Sequence, residues 1–108
     1  MNVENTKAQM KKGVLEYCIL SILSRNACYA SDIIKELKAS KVIVVEGTLY
    51  PLLTRQKNAG LLSYRWEESL QGPPRKYYEL TEVGQSVLAE LEKSWNELVQ
   101  SVEQIRKK

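Results

Sequence analysis

A chain of 108 residues with 44% apolar content is long enough for one small core and too short for two ordinary domains. Its formal charge of +3 is unevenly spread: residues 1–78 carry 12 Lys/Arg against 7 Asp/Glu, and residues 79–108 carry 4 against 6. The front portion therefore suits a polyanion and the tail does not. There is no histidine, the two cysteines lack metal-ligand spacing, and the longest apolar run, Val14 to Leu23, is about half of a membrane span. Those features argue against an enzyme, a metal site, a cofactor and a membrane partner. They point to a soluble cytoplasmic protein with reduced thiols.

A first helix is expected from about Thr6 to Leu23. Leu15, Ile19, Ile22 and Leu23 form one apolar face, and Met10, Val14, Tyr17 and Cys18 form a second. Two apolar faces require two covers, one from the domain's own core and one from a partner. "SRNACYA" interrupts the pattern, and a second helix follows through Ala30, Ile33, Ile34 and Leu37. "KVIVVEG" is β-branched and short, the composition of a short strand.

"GTLYPLLTRQKNAGLL", from Gly47 to Leu62, then reads as a third helix closing at Gly60. Its apolar stripe is Leu49, Leu52 and Leu53, which leaves Gly47, Pro51, Thr54, Arg55 and Asn58 opposite, flanked by Thr48, Tyr50 and Lys57. From Leu62 the period changes to two: Leu62, Tyr64 and Trp66 alternate with Ser63, Arg65 and Glu67. "RKYYEL" alternates again beyond a turn at Gly72 to Pro74, so the two runs form a hairpin. Thr81 is suited to cap a last helix running to about Ile105. In that helix Leu88, Leu91, Trp95, Leu98, Val102 and Ile105 are spaced alternately three and four residues apart, the seam of a coiled coil. At about 1.5 Å per residue it is some 37 Å long, more than a small three-helix core covers. A homodimer built from this seam and the second face of the first helix is expected.

Helix, helix, strand, helix, hairpin, helix is the order of a winged helix-turn-helix. The fold class is therefore mostly α with a small antiparallel β-hairpin, carrying a long C-terminal dimerisation helix. Residues 1–80 make the winged helix, with the recognition helix at about 46–59 and the wing at about 61–80, and residues 81–108 make the dimerisation helix. In this arrangement the third helix enters the major groove of double-stranded DNA and the hairpin lies along the backbone or minor groove. Candidate contacts are Tyr29 and Lys35 on the second helix, Gly47, Thr48, Tyr50, Pro51, Thr54, Arg55, Lys57 and Asn58 on the third, and Arg65, Arg75 and Lys76 in the wing. Arg55 can read guanine or clamp a phosphate, Asn58 can read adenine, and the wing cations suit phosphates.

"GTLYPLL" followed by Arg55, then "AGLL", Trp66 in the first wing strand and "RKYYELTEVG" closely resemble the PadR-like transcriptional regulators, as does "CYASDIIKEL" in the second helix. The resemblance spans Met10 to Trp95 and is nearest to the short members of the family, which end in a single dimerisation helix. It implies a dimeric repressor on a palindromic operator, released by an effector or by loss of a partner. Trp95 falls where the multidrug-sensing branch places a tryptophan at the dimer interface. The resemblance thus implies an effector pocket of Met10, Gly13, Glu16, Tyr17, Glu92 and Trp95, in which an aromatic pair would stack on a planar ligand. Glu16, Tyr17 and Glu92 make that pocket more polar than the multidrug type and favour a polar or cationic effector. Val45 stands where the family usually has a small hydroxyl residue, leaving Glu46 or Thr48 to cap the recognition helix. Gln56 stands where leucine is usual and puts an amide at the edge of the core. The alternative reading is a winged helix that contacts proteins and uses its last helix for assembly; such a module has no need of Arg65, Arg75 and Lys76 around the wing.

Overall fold

The apolar periodicity of the front half produces four helices rather than three, as a computed structural model of the chain shows for residues 1–42 and 46–108. The long first helix expected from Thr6 is divided into α1, Val3–Lys12, and α2, Leu15–Arg25. Gly13 and Val14 form the joint: glycine is a poor helix interior residue, and Gly13 caps α1 instead by donating to the Gln9 carbonyl at 3.1 Å. Asn2 starts α1, its side chain accepting from the Asn5 amide at 3.1 Å. No residue of α1 is buried.

After α2 the chain forms a two-residue strand, β1, Cys28–Tyr29, and enters α3, Ala30–Ala39. The Asp32 carboxylate accepts from the Tyr29 amide at 3.0 Å and holds that start. The strand expected over "KVIVVEG" has its centre, residues 43–45, outside the described residues. Lys41 and Val42 before it lie in a turn, and Glu46–Thr48 after it form a short 3-10 turn. The helix expected at about 46–59 is α4, Leu49–Asn58, with Thr48 at its N-cap; the Thr48 hydroxyl makes no capping bond.

Gly60, at φ +81°, closes α4. The amides of Gly60 and Leu61 donate to the Lys57 and Gln56 carbonyls at 3.0 and 2.9 Å, the pairing of a helix end closed by a left-handed residue. The hairpin follows as β2, Leu62–Glu67, and β3, Arg75–Leu80, and α5 runs from Glu82 to Arg106. The sheet has three antiparallel strands in the order β1-β3-β2, so the expected two-stranded wing gains β1 on its far edge. Cys28 pairs with Tyr78 and Tyr29 with Tyr77. A two-residue strand is too short to show alternation, which is why the sequence reads it as a loop.

The core joins Leu15, Ile19, Leu20, Ile22 and Leu23 of α2 to Ile33, Ile34 and Leu37 of α3, Leu49 and Leu53 of α4, Leu62 and Tyr78. Leu52 is only half-buried, and Gln56 takes the interior place at the end of the stripe. α5 was expected to serve assembly along its whole length, but its first turns belong to this core. Gly84 is buried, and Val87, Leu88 and Leu91 pack against the cluster. Thr81 ties the turn after α4 to α5: its hydroxyl donates to the Gly60 carbonyl at 2.6 Å and accepts from the Gly84 amide at 3.0 Å.

Gly84 lies so close to the Leu61 carbonyl that a Cβ there would sit 2.2 Å from its oxygen and 2.7 Å from Leu80 Cδ1. Gly84→Ala is expected to destabilise by about 1–3 kcal/mol, because the obstacle is backbone rather than a movable side-chain tip. In a domain of this size that is a fall of roughly 5–20 °C in Tm by thermal melting. An unchanged Tm would refute the close packing of α5 on the Leu61 carbonyl.

Candidate nucleic-acid interface

On α4 the buried positions Leu49, Leu53 and Gln56 lie on one side, so helical geometry turns Pro51, Thr54 and Asn58 directly outward, and all three are exposed. Tyr50 and Lys57 stand on the flank toward the wing, where the Lys57 ammonium lies 5.8 Å from the Tyr64 ring centre. Arg55 stands on the opposite flank and pairs through Nη2 with the Glu16 carboxylate of α2. Gly47 is exposed, with nothing within 4 Å of where a Cβ would project, and Thr48 is half-buried. Lys35 is exposed on α3.

The strand register sorts the wing cations onto two faces. Trp66 pairs with Lys76 and Arg65 with Tyr77. Lys76 therefore shares a face with Tyr64 and Trp66, its ammonium 4.6 and 5.6 Å from their ring centres. Arg65 and Arg75 share the other face with Tyr77 and Tyr29. Arg75 lies 3.8 Å from the Tyr29 ring centre and reaches the Ser31 hydroxyl at 3.5 Å; Arg65 lies 4.7 Å from the Tyr77 ring centre. Tyr29 and Tyr77 meet edge to face at 5.0 Å. The stacked rings hold the guanidinium groups in place while leaving their edges open to solvent. Arg65 also donates to Glu67 at 2.6 Å, and this hydrogen bond raises its pKa.

The start of α3, the start of α4 and the wing converge on an open groove of about 360 Å³, lined among others by Tyr29, Ser31, Tyr50, Trp66, Arg75 and Lys76. Ser31 and the exposed ring of Trp66 are additions to the residues expected from the sequence. Only β1 brings Ser31 beside the wing, and a tryptophan in an alternating strand reads as core until its place near the hairpin tip is known.

At the other end of the molecule, Met10 and Val14 face Trp95, Leu98, Val99 and Val102 across an apolar groove of about 460 Å³. Gly13, Tyr17, Leu91, Trp95 and Leu98 line an adjoining depression of about 140 Å³. Met10, Gly13, Tyr17 and Trp95 are thus brought together. Glu16 and Glu92, expected with them, line neither hollow. Glu16 lies about 100° around α2 from Tyr17, which turns it toward Arg55, and Glu92 is displaced from the seam of α5 in the same way. The two thiols offer no second chemistry. Desolvation, with Asp32 and Glu36 nearby, pushes Cys28 up to about 11, and burial raises Cys18 as well, so neither is activated as a thiolate. Among the described residues no three His, Cys, Asp or Glu side chains group as a metal site, and no helix is long and apolar enough to cross a membrane.

A three-helix core carrying a solvent-facing third helix and a cation-bearing hairpin defines a winged helix. The family model of the transcriptional regulator PadR-like family matches residues 19–90. Among solved structures, the chain is 63% identical to a PadR-like transcription factor from Bacteroides fragilis, covering 94% of this chain and 98% of that one, with a TM-score of 0.78. It is 39% identical to a PadR-like transcriptional regulator from Bacillus cereus, over 90% and 95% of the two chains, with a TM-score of 0.77. A PadR family transcriptional regulator from Eggerthella lenta superposes with a TM-score of 0.87 at 33% identity, over 95% and 90%. The chain belongs to the PadR-like family of transcriptional regulators, whose members regulate transcription rather than catalyse reactions.

Proposed function

We propose that this protein is a DNA-binding transcriptional repressor that grips a palindromic operator as a homodimer. The observation that carries the reading is the alignment of Pro51, Thr54 and Asn58 on an open helix face, with Lys57, Lys76 and Arg75 beside it toward the wing. Such a face offers side chains for base edges along its centre and cations for phosphates at its side. Residues 1–80 supply the DNA-reading part. Within 81–108 the distal half of α5 pairs with that of a second copy and with its α1. A two-fold dimer sets its recognition helices about 34 Å apart, one turn of duplex, and so reads a palindrome. Repression follows from occupancy of a promoter and requires no further surface.

A small effector at the dimer interface is a second element of the reading. It is favoured by the apolar groove that holds Met10 and Trp95, with Tyr17 6.2 Å from Trp95 between ring centres. A planar apolar ligand suits it better than a cationic one: Glu16 and Glu92 lie outside it, and the one carboxylate among its lining residues, Glu103, is already paired with Arg106 and Lys107.

The test is titration of the protein against a fluorescent duplex from upstream of its own gene, beside a scrambled duplex, at two salt concentrations. Tight, salt-dependent binding that prefers the upstream duplex is expected. Binding to neither duplex, with no salt dependence, would refute the DNA reading and leave a winged helix that contacts proteins.

A further inference from the structure

We infer that the first turn of α2 couples the recognition helix to the α5 seam, with Glu16 and Gln56 as its positioning residues. The inference rests on the DNA-binding reading and names the route by which that site is regulated.

Glu16 holds α4 twice. Its carboxylate pairs with Arg55, and its main-chain carbonyl accepts from Gln56 Nε2 at 3.2 Å. Gln56 is 2% exposed, and its Oε1 has no partner among the described residues. A leucine of similar volume would fill the same space without stranding a buried acceptor, so packing alone does not account for the amide. Among the described residues, the one bond its side chain makes is the bond to α2. The next residue, Tyr17, is turned about 100° around the helix and packs 6.2 Å from the Trp95 ring on α5. Consecutive residues of one helical turn thus touch the recognition helix and the seam.

Leu15 anchors that turn in the core, but its start is lightly held, so the turn can tilt as a unit. It begins after the Gly13 joint, and Val14 at its N-cap gives it no side-chain bond. A ligand or partner chain entering between Val14 and Trp95 presses on Tyr17, and the rigid turn carries Glu16 with it, moving both of its holds on α4. The ion pair is exchangeable as well: the Arg55 and Glu16 side chains are 67% and 41% exposed, and such a pair is weak enough for a DNA phosphate to capture the guanidinium. Coupling between two sites is reciprocal, so DNA bound at α4 must be felt at Trp95.

The reciprocal effect is measurable without knowing the effector. The indole N–H resonance of Trp95 is followed in the full-length protein by NMR and told apart from that of Trp66 by a Trp66→Phe variant. A labelled duplex is added at low salt, where counter-ion release holds any sequence, and anisotropy reports its binding in parallel. Saturation is expected to shift the Trp95 resonance in the unaltered protein. In Glu16→Gln/Gln56→Leu the duplex still binds, and that shift is largely lost. Gln56→Leu alone, which preserves volume, is expected to reduce the shift in the same direction and serves if the double variant folds poorly. A Trp95 shift as large in the variants as in the parent overturns the coupling. So does an unmoved Trp95 in the parent when anisotropy shows the duplex bound. If no duplex binds at low salt, the DNA reading itself fails, and the coupling that rests on it fails too.

Discussion

Leu98→Glu combined with Val102→Glu is expected to leave a folded monomer that no longer holds its operator. The two positions are 56% and 43% exposed on the distal half of α5, beside Trp95, Val99 and Ile105, and none of these five belongs to the core of the domain. Leu91, equally part of the three-and-four spacing, packs on the domain's own core, so charging it would confound assembly with folding. Full burial of a leucine or valine contributes about 1.5–3 kcal/mol, and a dimer loses four such side chains. Because each is already about half covered within its own chain, the loss is about half of the full-burial sum, roughly 3–6 kcal/mol or about two to four decades in dimer Kd. Monomeric halves lose the linkage between half-sites, and operator affinity falls with it. Light scattering should report one chain while circular dichroism retains the parent's helix content. Persistence of dimers would place the interface elsewhere.

Arg75→Ala with Lys76→Ala should weaken every duplex alike. The two cations sit on opposite faces of β3, one braced on Tyr29 and the other over Tyr64 and Trp66, so together they can meet phosphates on both sides of the wing. Each phosphate contact adds about 0.9 to the slope of log K against log salt, so a dimer losing four contacts should have its slope reduced by nearly 4. Over the decade between 1 M and 0.1 M salt that amounts to about three and a half decades of affinity. Asn58→Ala is the contrasting change: on the outward ridge of α4 it should cost about 1–3 kcal/mol per half-site on the operator alone and leave the slope unaltered. An unchanged slope in the wing variant would rule out phosphate contact there.

Much of the architecture is legible in the chain because its causes are local. Thr81 followed by an acidic first turn, Gly60 after a polar helix end, and the change of period at Leu62 each determine one backbone decision within a few residues. Periodicity also identified the outward face of α4, since Leu49 and Leu53 must turn inward wherever the helix lies. Gly13 was the misread local signal. A single glycine inside a strong apolar pattern is tolerated in many helices, and here the joint forms because α1 has no core of its own to follow.

The candidate site was legible residue by residue but not as a geometry. Composition and helical spacing by themselves determined the class of fold, the basic front portion and the apolar seam, since these depend only on which residues share a face of one element. The tertiary structure alone decided where those faces meet. It put β1 beside β3, so that Tyr29 braces Arg75, and sorted Arg65, Arg75 and Lys76 onto two faces of the wing through the strand register. It turned Glu16 from the seam toward Arg55 and used the first half of the α5 pattern for the core. Contacts between residues 40 positions apart, such as Glu16 with Gln56, depend on how helices cross. That crossing is set by the packing of the whole core, which no local window of sequence contains.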